Sequence, residues 1–248
     1  MLNQILQGDC LELMPQVAEN SVDLILCDLP YGTTKVSWDT VIPFESLWDN
    51  YWRVLKPNGT IVLTSAQPFT TALIASQLNA FRYCWYWVKS YSVGFINANR
   101  MPMKNVEDIC VFFKQRGTYN PQGLKPFEKT FKNSKPKSGY VKESGKANHS
   151  GKRLVGDYTQ HFTNYPTQTL AFKKERTTHP TQKPVGLFEY LIRTYTNEGD
   201  TVLDNCSGSG TTAIACLNSN RNYICMEMNQ AIYAQSVQRL NTHTPKML

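Results

Sequence analysis

A strand, a glycine turn, a helix, a second strand and an acidic residue follow one another near the carboxyl end of this 248-residue chain. Apolar residues 201–203 run into Asp204-Asn205-Cys206-Ser207-Gly208-Ser209-Gly210, Thr211–Leu217 has helical composition, and residues 223–226 form a second apolar run that stops at Glu227. This is the opening of a doubly wound nucleotide fold. Only one more helix, over residues 230–240, follows it. The sheet therefore needs strands from the amino-terminal half.

Those strands are present. Residues 3–7 alternate and end at Gly8-Asp9, a helix is expected over 11–17, and 22–27 (VDLILC) is a continuous apolar run of the kind buried on both faces of a parallel sheet. It stops at Asp28. Pro43 suits a helix first turn, and Phe44, Leu47, Trp48, Tyr51 and Leu55 follow at helical spacing. Lys56-Pro57-Asn58-Gly59 reads as the turn into a buried strand over 60–64, and Pro68 opens a helix to about Leu78. Residues 82–89 and 106–114 alternate like an antiparallel pair at the sheet edge. Pro184 opens a helix with Leu187, Tyr190, Leu191 and Tyr195 on one face. Joining the termini on paper gives one series of strands and crossover helices. The expected fold is α/β, a doubly wound, mostly parallel sheet in circularly permuted order with an antiparallel edge hairpin. Asp204, Glu227, Asp9 and Asp28 then all fall just past carboxyl ends of parallel strands, where such sheets bind ligands.

Residues 115–178 differ in composition, rich in Lys, Ser, Gly, Pro, Asn and Thr with little periodicity. The expected organisation is 1–114 and 179–248 as two halves of one domain, with 115–178 inserted between them. Residues 114–176 hold fourteen Lys/Arg against four Asp/Glu, a net of +10, whereas the remainder, with 12 basic and 15 acidic residues, nets −3. Such a block suits a polyanion partner, and equally a solvated loop. Seven scattered cysteines without metal or disulfide spacing point to reduced thiols in a cytoplasm. No signal peptide and no membrane-spanning apolar stretch is expected.

The glycine loop fits G-x-G-x-x-A over Gly208–Ala213, with Glu227 nineteen residues after its first glycine. Any adenosine cofactor suits that pattern, as does a plain strand-to-helix turn. An acidic Asp204 ahead of the glycines opposes a pyrophosphate and suits a sulfonium with its ammonium group, favouring S-adenosylmethionine over NAD. At the other end, Asp28-Leu29-Pro30-Tyr31 offers a carboxylate, a backbone carbonyl at Leu29, a stiffened corner at Pro30 and a ring able to stack on a heterocycle. Taken singly, Asp28 as a cap and Tyr31 as core remain open.

Together with His179-Pro180-Thr181-Gln182-Lys183-Pro184, these two segments resemble the DNA amino-methyltransferases, in particular the permuted group in which a D-P-P-Y motif precedes a target-recognition insert and the cofactor loop comes last. The resemblance runs from about Asp9 to Glu227. It implies direct in-line methyl transfer from S-adenosylmethionine to the N6 amine of an adenine flipped out of double-stranded DNA. Asp28 and the Leu29 carbonyl would hold the amine and Tyr31 would stack on the base, with aromatic residues of 85–91 as further stacking candidates beside a buried-hairpin alternative. Cofactor contacts are expected from Asp9, Cys10, Asp28, His179, Thr181, Lys183, Asp204, Asn205, Cys206, Ser207, Gly208, Ser209, Gly210, Thr211, Thr212, Glu227 and Met228. Asp9, equally a helix cap, would take the adenine amino group, and His179, Thr181 and Lys183 the methionine end. DNA contacts are expected from Arg100, Lys104, Lys125, Lys129, Lys132, Lys135, Lys137, Lys142, Lys152 and Arg153. Leu29 stands where the family usually has proline, and Asn205-Cys206 replaces the common Pro-Phe. Cytosine-N4 transfer and a non-catalytic DNA-binding relative are the alternatives. A homodimer and a separately acting restriction endonuclease are open as partners, and a bacterial cytoplasm is the expected setting, whether the gene is bacterial or phage-borne.

Overall fold

The structure, a computed structural model, describes residues 1–33, 36, 39–132, 157–173 and 182–244. Among these, the chain forms two compact units, one of residues 1–120 with 167–248 and one of residues 121–166.

The larger unit is built on an eight-stranded sheet. Its strands in chain order are β1 (Gln4–Gln7), β2 (Val22–Asp28), β3 (Leu55–Ser65), β4 (Phe81–Val93) and β5 (Lys104–Phe112), then β8 (Thr169–Ala171), β9 (Thr201–Asp204) and β10 (Asn222–Glu227), while β6 (Lys125–Phe131) and β7 (Tyr158–Thr163) belong to the smaller unit. Across the sheet the order is β1-β10-β9-β2-β3-β5-β4-β8. The first five are parallel, and β5 runs antiparallel to both β3 and β4. The two ends of the chain thus interleave, since β1 lies beside β10 and β9 beside β2. From β9 the chain winds outward through β10, and from β2 it winds the other way to β3. The boundary between β9 and β2 is the topological switch point, and the crevice beyond their carboxyl ends is the place such a sheet leaves for a ligand.

β2 shows why its run is apolar from Leu24 to Cys27. Ile25 and Cys27 pack on one face with Leu47, Trp48, Tyr51 and Val54 of α2 (Phe44–Val54) and Leu73 of α3 (Phe69–Ser76). Leu24 and Leu26 pack on the other with Leu187, Phe188, Leu191 and Ile192 of α4 (Val185–Tyr195) and the Ala213–Cys216 stretch of α5 (Thr211–Leu217). A strand covered on both faces takes polar residues only near its ends: Asp23 at the start, paired with Lys56 and accepting the Thr201 amide, and Asp28 where the cover stops.

Several boundaries differ from the sequence expectation. Asn3 has φ 59°, so β1 begins one residue late. The helix expected over 11–17 is a single α-turn, α1 (Cys10–Leu13), continued by a 3-10 turn at Met14–Gln16, because Pro15 lacks the N–H the α-ladder needs. Lys56–Gly59 is no separate turn but a bulge inside β3, across which the register moves from Val22↔Leu55 to Leu24↔Thr60. The hairpin lies at one side of the sheet as expected, with β5 inward, and the three-residue β8, drawn from the region expected to be an insert, pairs parallel to β4 beyond it. The smaller unit accordingly spans 121–166 rather than 115–178. It contains the antiparallel β6–β7 ribbon, with Phe131 stacked on Tyr158 at 5.0 Å. Among the described residues no helix is long and apolar enough to cross a membrane.

Candidate active site

One cavity of about 690 Å³ occupies the crevice at the switch point. Gly8, Asp9, Cys10, Asn205, Cys206, Gly208, Glu227 and Met228 line it on the β9 side; Asp28, Leu29, Pro30 and Tyr31 line it on the β2 side; Trp87, Lys89, Tyr91 and Glu107 of the hairpin and Gln182 and Lys183 line it as well. The volume is within the usual range for small-molecule sites.

Asp28 ends β2 and is in register with Thr64 of β3, which explains its first partner. Its Oδ1 accepts the Thr64 hydroxyl in a short hydrogen bond and the Tyr31 hydroxyl at 2.8 Å. Its Oδ2 accepts Lys183 Nζ at 2.6 Å. A carboxylate has about four lone-pair sites, so among the described residues three are filled by protein donors and one, on Oδ2, remains. Tyr31 stacks on Phe69 with centroids 5.2 Å apart, and Lys183 Nζ sits 5.9 Å from its ring centre. Burial, aided by the nearby Asp28 charge, pushes the Tyr31 phenol well above its ordinary range, so it remains a donor. The Leu29 side chain is buried in the core. Gly32, at φ 66°, and Thr33 then donate their amides to Asp39 at 2.8 and 2.9 Å.

The glycine loop is held from behind. Asp204 is 2% exposed, accepts the Thr212 hydroxyl in a short bond and the Cys206 amide at 3.1 Å, and does not line the cavity. Burial lifts its carboxyl to about 7. Ser209 and Thr211 face Arg239 of α6 (Gln230–Asn241), which reaches them at 2.9 to 3.2 Å. Ser207, Gly210 and Thr212 also stand outside the cavity lining. The sequence grouped all of these with the cofactor contacts; the structure separates a lining set (Asn205, Cys206, Gly208) from a supporting set.

Glu227 accepts the Gly208 amide at 2.9 Å on one oxygen and the Asn229 amide at 2.8 Å on the other, which ties loop to strand end. Asp9 caps α1 by accepting the Leu11 amide at 2.8 Å and also lines the cavity. Asn205 accepts the Tyr51 hydroxyl at 2.5 Å and directs its Nδ2 at the thiols of Cys10 and Cys206, at 3.5 and 3.4 Å. All three neighbouring thiols are held protonated. Cys10 is raised by its bond with Cys206 and by burial, Cys27 is pushed up to about 12 by burial, and Cys206 is raised by Cys27 and burial against an opposing effect of Cys10. Cys206 is therefore a packing residue of the cavity floor and not a thiolate nucleophile.

Of the hairpin aromatics, Trp85 and Trp87 are both core, donating to the Tyr195 hydroxyl at 2.6 Å and the Phe172 carbonyl at 2.9 Å; Trp87 touches the cavity wall, and the exposed Tyr91 borders it. Arg100, between β4 and β5, and Lys104, the first residue of β5, are exposed, and Lys125, Lys129 and Lys132 are exposed on the smaller unit. His179, Thr181, Lys135, Lys137, Lys142, Lys152 and Arg153 lie outside the described residues. Sequence reasoning missed Thr64, Lys89 and Glu107, none of which stands in a motif. Their signal is register: Thr64 opposes Asp28, and Glu107 is in register with Trp87, two residues before Lys89.

Residues 22–238 match the family model described as DNA methylase, covering both N6 and N4 enzymes. The chain belongs to the N6/N4 DNA methylase family. It is 31% identical over 244 residues to the type II methyltransferase M1.MboII of Moraxella bovis, spanning 92% of each chain. It is 25% identical to the DNA adenine methyltransferase YhdJ of Escherichia coli (strain K12), over 96% of this chain and 82% of that protein. The solved M1.HpyAVI–SAM complex superposes with a TM-score of 0.62 at 25% identity, over 96% of this chain and 99% of that one.

The loop fits a nucleoside cofactor on its own geometry. A Cβ at Gly208 would meet no atom within 4 Å, so the cavity wall is open there.

Proposed function

We propose that this DNA methylase transfers a methyl group from S-adenosylmethionine to the N6 amine of an adenine held out of the DNA duplex. The observation that carries the reading is the single free acceptor site on Asp28, opening into the same cavity as the glycine loop. Bound at the loop, S-adenosylmethionine supplies an electrophilic methyl group on a sulfonium centre.

Gly208 brings backbone close to the cofactor, Glu227 keeps a lone pair on each oxygen for ribose hydroxyls, and Asp9 accepts the adenine amino group. Asp28 Oδ2 accepts one N–H of the target amine and the Leu29 carbonyl the other. The amine's lone pair, delocalised into the ring in the free base, is thereby localised on nitrogen and aimed at the methyl group. Asp28 would also stabilise the positive charge that grows on that nitrogen as the N–C bond forms and the S–C bond breaks, the thioether product leaving and the surplus amine proton passing to solvent. Because an amine inside a stacked pair cannot reach this position, the base leaves the duplex. Tyr31 and Tyr91, both on the cavity wall, replace part of its lost stacking. The basic smaller unit grips phosphates, and its polar side chains are the place for base readout.

An aspartate at the head of the corner favours adenine within this family, and the similarity to an E. coli adenine enzyme supports the same choice. Cytosine-N4 transfer is the second reading, since the family includes it. Replacing Asp28 with Ala is expected to lower transfer at least about 10²–10³-fold while S-adenosylmethionine binding by calorimetry persists. Undiminished transfer by that variant would remove Asp28 from the mechanism.

A further inference from the structure

A row of alternating charges lines the cavity from Asp28 into the hairpin: Asp28, Lys183, Glu107, Lys89. Glu107 lies on β5 and takes Lys89 Nζ of β4 on Oε1 in a short ion pair. Its Oε2 is buried, accepts no hydrogen bond among the described residues, and stands 3.4 Å from Lys183 Nζ. Lys183, with a side chain only 9% exposed, is 2.6 Å from Asp28 Oδ2. A buried ammonium is stable only when paired. Asp28 is one partner, but Asp28 is also the group that meets the target amine.

We propose that Glu107 is a positioning residue for the transfer, holding Lys183 as a cation directed at Asp28 Oδ2 while the base amine occupies that carboxylate's last acceptor site. The inference rests on the reading of Asp28 given above. Lys183 is fastened at its other end too, because its backbone carbonyl accepts the Thr211 hydroxyl at 3.4 Å. Kept charged and in place, it limits Oδ2 to one further donor and fixes the direction from which the amine approaches. Lys89 neutralises the far side of Glu107 and crosses the Trp87 ring at 5.2 Å, which holds the glutamate against the hairpin.

The groups facing the Lys183 ammonium are Asp28 from β2, Glu107 from β5, and the Tyr31 ring from the loop after β2, with Lys89 of β4 behind Glu107. Burial, the largest influence, lowers its pKa; Asp28 and then Glu107 outweigh it, and the net shift is upward. Removing the Glu107 charge tips that balance toward the neutral amine.

The test is single-turnover transfer to an unmethylated duplex, followed from pH 6 to pH 10 in the wild-type protein, Glu107→Gln and Glu107→Gln/Lys183→Arg. The wild-type profile is expected to show no loss of rate from Lys183 in this range. Glu107→Gln gains a descending alkaline limb at least about one pH unit inside it, with the equilibrium constant for S-adenosylhomocysteine binding at pH 7 within about threefold. The added arginine, which does not deprotonate, removes the limb. A Glu107→Gln profile parallel to wild type, lowered equally at every pH or not at all, overturns the proposal. Absence of transfer by the wild-type protein instead overturns the underlying reading of Asp28. Should the glutamine variant fail to fold, lysine NMR of the wild-type protein decides: Lys183, assigned by its loss in Lys183→Met, is expected to remain an ammonium up to pH 10. Deprotonation below that pH overturns the proposal.

Discussion

At the scale of single residues, the same side-chain type does opposite work on neighbouring strands. Asp28 and Asp204 end β2 and β9, but Asp28 faces the cavity with a lysine on it, whereas Asp204 turns inward to Thr212 and the Cys206 amide. Burial raises the Asp204 carboxyl to about 7. The folded protein therefore holds a proton there that the unfolded chain releases near pH 4. Its contribution to stability is complete below that pH and is lost as pH rises to about 7, at up to roughly 1.4 kcal/mol per pH unit. Urea unfolding of wild type and Asp204→Asn between pH 4 and pH 8 checks this: the difference between them should change in the variant's favour over that interval and level off above it. A constant difference contradicts the assignment. Asp28, Tyr31 and Glu227 were legible in the sequence because they sit at fixed offsets from strand ends or glycines. Asp204 was found but given the wrong orientation, since which way a strand-end carboxylate points depends on the helix that packs behind it. Glu107 was invisible, because its meaning comes from strand pairing and not from its neighbours in sequence.

At the scale of elements, the glycine loop is one turn with two kinds of glycine. Gly208 has φ 50° and open space where a Cβ would go, while Gly210, at φ 76°, would place a Cβ 3.3 Å from Ser236 of α6 and 3.4 Å from Ile5 of β1. Both conformations are strained for alanine, by about 1 kcal/mol or more; only Gly210→Ala must also move α6. Thermal melts should therefore show the larger loss of stability in Gly210→Ala. Cofactor titration should show the larger loss of affinity in Gly208→Ala, because Gly208 lines the cavity and Gly210 does not. The reverse order on either measurement contradicts the division into lining and supporting residues. Element types were largely legible, since long runs such as 22–27 carry their own periodicity. What failed was local: Pro15 cuts the first helix short, and the bulge at Lys56–Gly59 hides inside β3. The three-residue β8 pairs with a strand about eighty residues away, beyond the reach of any sequence window.

At the scale of the whole molecule, the order of segments along the chain and their order in the sheet differ, and the switch point brings Asp28 and the glycine loop together from residues about 180 apart. The fold class followed from that order of segments; the limits of the insert did not, because composition changes at 115 while the smaller compact unit begins at 121. Charge divides in the same way, with a basic block on a mildly acidic body. Replacing Lys125, Lys129 and Lys132 together with Ala should weaken duplex binding and reduce the salt dependence of binding, by roughly 0.9 in log–log slope for each phosphate no longer neutralised, without altering S-adenosylmethionine affinity. An unchanged slope in filter binding or anisotropy assigns the DNA-binding surface elsewhere. The most direct test of the central claim is chemical: incubate the protein with unmethylated duplex DNA and methyl-labelled S-adenosylmethionine, digest to nucleosides and separate them. Label in N6-methyladenine is the predicted result, and label in N4-methylcytosine, or no label in DNA that the protein nevertheless binds, contradicts it.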